Sequence, residues 1–359
     1  MRSLIRLSII ALVLAAPGAF AAEAYRLETW AEGLEQPWSI AFLPRGGALV
    51  TELPGRLRQV DASGAVGDPL GNVPAVYFAG QGGLFDVVLH PGFAENRLVY
   101  LSYAEGGPRD NGTAIARGRL GAASLEEVEV IFRNFTRKDT PMHYGGRMAF
   151  LPDGTLLLTT GEGFDYRESA QDRVSGLGKV IRIRDDGGPP ADNPFPDAPR
   201  VFSYGHRNPQ GLAVTAGGTV WLHEHGPRGG DELNRIERGA NYGWPAVTRG
   251  VDYSGAMISP YTSLEGMAPP VHVWTPSIAP SGLAVYDGEL FPAWRGDLFV
   301  GALVDREVRR LVLSGGQVVS EEPLFSELDA RVRDVRTGPD GALYLLVPNR
   351  VVRVVPDAR

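Results

Sequence analysis

The chain has 359 residues, 43% of them hydrophobic, enough for two average domains or one large β-architecture. Cysteine is absent, which excludes disulfides, thiol nucleophiles and thiolate metal sites. A formal net charge of −7 with no block of basic residues argues against nucleic acid or an anionic membrane as partner.

In chain order, the first feature is an export signal. Arg2 and Arg6 precede an apolar run from Leu7 to Ala16, Pro17-Gly18 breaks it, and Ala19-Phe20-Ala21 is a small-x-small cleavage site. The run is too short to span a bilayer, which takes about 20 residues. Residues 1–21 are therefore expected to be a secretory signal peptide, and 22–359 a periplasmic or secreted chain with no membrane span.

The remainder repeats one phrase six times: an alternating apolar strand, a Pro or Gly turn, and a second apolar strand. The copies begin at Ser39, Phe85, Arg147, Gly211, Gly282 and Asp334. Turns such as Pro152-Asp153-Gly154 and Pro339-Asp340-Gly341 mark hairpins. Gly55–Val60 and Arg350–Val355 read as further strands. Spacing is uneven, and the excess length implies long loops between strands. No apolar helical period persists, and only Glu168–Val174 could form a turn of helix. The reading is all-β, a six-bladed propeller with long inserted loops, with a pair of β-sandwiches as the competing architecture.

Four loop segments carry polar residues that a strand core has no use for. Pro141–Arg147 holds His143, either a general base or a loop histidine bonded to a backbone carbonyl. Glu162, in Thr160-Gly161-Glu162-Gly163, could orient that histidine or simply sit solvated in a turn. Gly205–Gly211 presents Arg207, a planar fork of donors, with the amides Asn208 and Gln210. His223–Glu232 suggests zinc at first sight, but no third ligand follows at a typical spacing. The Gly226-Pro227 carbonyls, Asp231, Glu232 and the carbonyls around Asn241–Trp244 suit an oxygen-loving cation such as calcium better. Finally, Arg331 and Arg333 share one face if extended, which asks for an anionic ligand or an acidic neighbour such as Asp334.

Taken together, these segments resemble the soluble glucose and aldose sugar dehydrogenases that use pyrroloquinoline quinone (PQQ), the glucose/sorbosone dehydrogenase family. The likeness runs in order along nearly the whole mature chain, from Gln36-Pro37-Trp38-Ser39 through Gln81–Leu84, His90–Phe93, Gly205–Gly211 and Gly239–Pro245 to the last repeat. It implies oxidation of an aldose at its anomeric carbon to a lactone, with PQQ and calcium as cofactors and an unidentified electron acceptor as partner. By position, His143 is the implied base and Glu162 its supporting carboxylate. Arg207 and Asn208 face the reactive quinone oxygen, with Gln81 and Gln210 beside the cofactor and Arg331 and Arg333 on its carboxylates. Gly226 and Pro227 are the implied carbonyl ligands of the catalytic calcium, and Glu232 with the Tyr242 carbonyl those of a second, structural calcium. Tyr253 and Ser277 are placed along the pocket.

Two positions depart from the family pattern. Val304 stands where relatives carry a cofactor-pairing lysine, with Arg306 as a candidate substitute, and His225 replaces the glutamine of glucose-specific members. The rival functions are a propeller lactonase, which needs free channel carboxylates around calcium, and a non-catalytic binding propeller, which predicts loss of the base. Asn111-Gly112-Thr113 and Asn134-Phe135-Thr136 match glycosylation sequons and are given no role. Lysine occurs only at Lys138 and Lys179, a skew that composition alone ascribes to codon usage.

Overall fold

A computed structural model describes residues 23–357, so the expected leader at 1–21 lies outside the described residues. Each repeated phrase is the inner hairpin of a blade, because alternating apolar strands joined by Gly-containing turns pair at once with their sequence neighbour. At Leu151–Thr155 the hairpin closes by Leu151 N–H to Thr155 O (2.8 Å), with Gly154 in the left-handed region at φ 81.

Strand β1 (Tyr25–Glu32) comes first but belongs to the last blade. The first blade is β2 (Pro37–Phe42), β3 (Ala48–Glu52), β4 (Arg56–Val60) and β5 (Val66–Pro69). The second is β6 (Leu84–Leu89), β7 (Leu98–Gly107), β8 (Asp110–Leu120) and β9 (Leu125–Arg133), with a single helical turn at Phe93–Asn96. The third is β10 (Met148–Phe150), β11 (Leu156–Thr160), β12 (Lys179–Ile183) and β13 (Val201–Tyr204). The fourth is β14 (Pro209–Val214), β15 (Val220–Glu224), β16 (Asp231–Ile236) and β17 (His272–Trp274). The fifth is β18 (Pro280–Val285), β19 (Leu298–Ala302), β20 (Val308–Ser314) and β21 (Gln317–Leu324). The last holds β22 (Asp334–Thr337), β23 (Leu343–Val347) and β24 (Arg350–Pro356), completed by β1 antiparallel to β24 from Tyr25↔Pro356 to Glu32↔Arg350. That pairing joins the first and last described strands in one sheet and closes the ring. The fold is a six-bladed β-propeller, as expected. The helical turn expected at Glu168–Val174 is a short 3-10 segment at Arg167–Ala170.

Apolar side chains fill six seams, one between each pair of neighbouring blades. Leu84, Val87 and Leu101 meet Leu49 and Leu57 between the first two blades, and Trp221 and Leu233 meet Leu283 and Leu298 between the fourth and fifth. Burying a Leu or Val contributes about 1.5–3 kcal/mol, so the seams are the main source of stability in a chain without cross-links. The tunnel's middle is polar instead. Asp86 accepts from Ser39 Oγ (2.5 Å), Met148 N–H (2.8 Å) and Arg336 (3.2 Å), and Asp334 pairs with Arg147 (3.0 Å) and Arg336 (3.0 Å). Arg147 also donates to Gln210 O (2.7 Å) and stacks over Trp38 at 3.9 Å. Inner strands of several blades thus meet in one ion-paired hub. Both sequon asparagines are buried, their amides donating to Gly107 O (3.0 Å) and Gly176 O (2.9 Å), so neither is open to glycosylation in the folded protein. Among the described residues no helix is long and apolar enough to cross a membrane.

Candidate active site

Loops leaving the inner strands wall one mouth of the tunnel. There a cavity of about 320 Å³ is lined by Gln81, Asn208, Gln210, His225, Arg331 and Arg333, with Trp38 and Tyr144 among its apolar walls.

His143 enters this region from the loop before β10. It is buried, and its backbone is left-handed at φ 47. Its N–H donates to Gln81 Oε1 (2.8 Å), and its Nδ1 lies 2.8 Å from Glu162 Oε1. Because Gln81 and Arg331 line the same cavity, His143 and Arg331 belong to the same end of the molecule. Glu162 follows β11, where Gly161 is required: a Cβ there would strike the His143 carbonyl. Burial pushes Glu162 up to about 7, and burial next to Arg207 and Lys138 holds His143 well below its ordinary value. Both shifts favour a neutral imidazole at neutral pH. With Nδ1–H donating to the carboxylate, the Nε2 lone pair is left to accept a proton.

Arg207, in the loop before β14, is fixed at backbone and tip. Its N–H donates to Glu224 Oε2 (2.5 Å), and Nη1 donates to Gly226 O (2.7 Å) and His225 O (3.2 Å). Glu224 is itself oriented by His206 Nδ1 (2.9 Å), whose Nε2 meets Ser203 Oγ (2.9 Å). This array is fully buried, so its serine is a strut and not a nucleophile. Arg207, Arg331 and Arg333 form no ion pair among the described residues, whereas Arg147 and Arg336 do. Arg333 is pushed down to about 10 by burial and by the neighbouring Arg147 and Arg331. Asp334, considered from sequence as a partner for Arg331 and Arg333, is engaged with Arg147 and Arg336.

The remaining candidates divide. Asn208 and Gln210 line the cavity, Gln210 Nε2 donating to Asn208 Oδ1 (3.2 Å). Tyr253 is exposed on the rim, stacked on Phe164 at 6.2 Å, with its hydroxyl 3.5 Å from Arg207 Nη2. Ser277 gives its hydroxyl to Asp231 Oδ2 (2.6 Å) and is not among the cavity residues. Asp231 also accepts from Gly226 N–H (2.8 Å) and Ala279 N–H (3.0 Å), so it shapes the Gly226-Pro227 turn. Glu232 lies opposite Glu224 across β15 and β16, and burial beside that carboxylate raises it to about 8. Tyr242 stacks on His206 at 4.8 Å. Among the described residues no three His, Asp or Glu side chains form a metal cage. Val304 is exposed, and Arg306 is taken by Asp329 (3.0 Å) at the surface. His225 Nε2 is fixed on Pro280 O (2.7 Å). The tunnel carboxylates Asp86 and Asp334 are neutralised by arginine, unlike the free acids a lactonase would need. Sequence reasoning missed Trp38, Tyr144, Lys138 and the Glu224–His206 strut. The motif Gly-His-Arg-Asn-Pro-Gln-Gly already contained His206, but nothing local marks a histidine as buried.

The profile of the glucose/sorbosone dehydrogenase family matches residues 34–355. The chain is 42% identical to the aldose sugar dehydrogenase YliI of Escherichia coli, across 89% of this chain and 89% of that protein. Among solved structures, a glucose dehydrogenase superimposes with TM-score 0.89 at 45% identity, covering 93% of this chain and all (100%) of that one. The PQQ-bound aldose sugar dehydrogenase of Streptomyces coelicolor superimposes with TM-score 0.77 at 30% identity, covering 95% and 100% of the two chains. The propeller, the buried histidine–carboxylate pair and these matches over almost the whole described chain make this protein a member of the glucose/sorbosone dehydrogenase family, an oxidoreductase.

Proposed function

We propose that the protein oxidises aldose sugars at the anomeric carbon to lactones, with PQQ and calcium in the tunnel mouth. The observation that carries this reading is a set of guanidinium groups without carboxylate partners opening on the cavity whose wall, at Gln81, holds His143. Arg331 and Arg333 repel each other at a pocket walled by both amide and apolar side chains, and a ligand bearing several carboxylates relieves that repulsion. Asn208, Gln210 and Gln81 offer amide donors and acceptors for the carbonyls of a flat ring. Gly226 and Pro227 would hold calcium through carbonyl oxygens, the cation taking its remaining oxygens from the ligand and water. Glu232 and the Tyr242 carbonyl would hold a second calcium, which the repulsion between Glu232 and Glu224 favours.

When bound, calcium-polarised PQQ supplies the acceptor for the hydride leaving the sugar carbon. The chain's own part is proton handling and electrostatics. His143 Nε2 removes the proton of the anomeric hydroxyl, and Glu162 stabilises the imidazolium that results. Arg207 keeps a positive charge at the site, its backbone held by Glu224 and its tip by the His225 carbonyl. Substrate and an electron acceptor, still unidentified, complete the cycle. The signal-like N-terminus supports export to the periplasm or beyond. Protein loaded with PQQ and calcium should reduce an artificial dye only when an aldose is added, and His143→Ala should lower that rate at least about a hundredfold with cofactor still bound. Loaded protein that reduces no dye with any aldose would refute the reading.

A further inference from the structure

The chain's two lysines are both buried, and each ammonium is wrapped by its own loop. Lys179 Nζ donates to the carbonyls of Ser169 (2.8 Å), Ala170 (3.1 Å) and Leu177 (2.5 Å). Lys138 differs in what its loop carries. Its Nζ donates to Thr140 O (2.5 Å), Met142 O (2.8 Å) and Asn111 Oδ1 (3.1 Å), and lies 3.5 Å from the centre of the Tyr144 ring. Its backbone is bridged to Asn111 in both directions, at 3.0 and 2.9 Å, so the lysine is anchored to β8.

Met142 O and the His143 N–H are the two ends of one peptide group. Lys138 grips the carbonyl end and Gln81 the amide end (2.8 Å). The orientation of this peptide plane sets φ of His143, which sits at 47. A non-glycine residue there is strained by about 1–3 kcal/mol and stays only if its surroundings hold it. We propose that Lys138 is a positioning residue for His143, clamping the preceding peptide from the carbonyl side and so fixing the direction in which the imidazole points.

The inference rests on His143 being the base. The charged and titratable groups facing it are Glu162 after β11, Asp165 beyond it, Arg207 before β14, His225 after β15, and Lys138. Of these, Arg207 and Lys138 oppose protonation of the imidazole and Asp165 favours it. Lys138 therefore has an electrostatic signature that a purely structural residue lacks.

In Lys138→Met, kcat should fall about 10- to 100-fold through misplacement of the base, with KM and cofactor affinity changed by less than about twofold. The acid limb of kcat/KM should move to higher pH, because Lys138, lowered by burial to about 7, is charged in the acid range and its charge opposing the imidazolium is gone. Lys138→Arg should not restore kcat, since a planar fork cannot cover three acceptors converging on one point. A readout independent of turnover is the His143 imidazole signal in cofactor-free, ¹⁵N-histidine-labelled protein, whose pKa should rise in Lys138→Met. Undiminished kcat, or lost kcat with acid limb and imidazole signal unmoved, overturns the proposal. If His143→Ala keeps full activity, the base assignment falls instead, while the imidazole titration still reports on the clamp. Should the variant not fold, wild-type protein labelled at lysine gives only two side-chain signals. Slow ammonium exchange at Lys138 supports the clamp, and surface-like exchange overturns it.

Discussion

The tunnel contains two sets of arginines that the fold treats in opposite ways. At its middle, Arg147 and Arg336 are tied to Asp334 and Asp86 at 3.0–3.2 Å, with Asp86 accepting further bonds from Ser39 and Met148. At its mouth, Arg331 and Arg333 face a cavity with no carboxylate partner among the described residues. A buried charge is tolerable when a partner compensates its lost hydration. The hub arginines meet that condition inside the chain, whereas Arg331 is exposed and Arg333 half-buried, so water solvates them and a ligand's carboxylates can take that place. In one tunnel, the paired charges hold the blades together, and the unpaired ones are where the proposed reading places the ligand's carboxylates.

Breaking a hub pair should show first as lost stability. Arg147→Met strips Asp334 of one partner and Trp38 of its stacked guanidinium, and should cost about 3–5 kcal/mol in denaturant unfolding. A loss below about 1 kcal/mol would mean the hub is not structural. The mouth should behave in the reverse sense. Arg333→Met relieves like-charge repulsion, so stability should hold or rise slightly, while PQQ affinity drops about 10- to 100-fold. An unfolded Arg333→Met variant would erase the distinction between the two sets.

The pH profile sharpens the comparison, because Arg207 lies in the same unpaired group and faces His143. His143 is held below its ordinary value of 6.5, mainly by burial and then by Arg207 and Lys138. Below pH 6.5 the unfolded chain binds more protons there than the folded one, so this contribution to stability diminishes as pH falls. With His143 as the proposed base, activity requires the neutral imidazole, so the limb due to His143 in kcat/KM should lie below pH 6.5. A limb near 7 would instead report protonation of Glu162, which burial raises to about 7. The smallest effect belongs to Val304→Lys. The position is exposed and Arg306 is occupied by Asp329, so the added ammonium should tighten PQQ binding only severalfold, and less at high salt.

Much of this was legible in the sequence, and the reason is periodicity. The six phrases are the inner hairpins, since those strands are buried on both faces and keep an apolar register. The outer strands escaped notice because they alternate with solvent: β21 reads Gln317-Val318-Val319-Ser320-Glu321, mostly exposed or half-buried. The ring closure by Tyr25–Glu32 was invisible, since its partner lies at the far end of the chain. At the site, the motifs gave residue types and order, and two ambiguities needed three dimensions. Asp334 next to Arg333 looks like a partner in sequence, yet its carboxylate turns to Arg147 and Arg336. Asp231 looks like a cation ligand, yet its oxygens are spent on Gly226, Ser277 and Ala279. The scarcity of lysine looked like codon usage, and its two sites prove to be buried knots of three hydrogen bonds each.

The most direct test of the unpaired arginines is a calorimetric titration of PQQ, with calcium present, into the wild-type protein and the double variant Arg331→Gln, Arg333→Gln. The account predicts one tight equivalent on the wild type and, on a variant that stays folded, binding weakened by at least about a hundredfold. Equal affinity in the two proteins would contradict it.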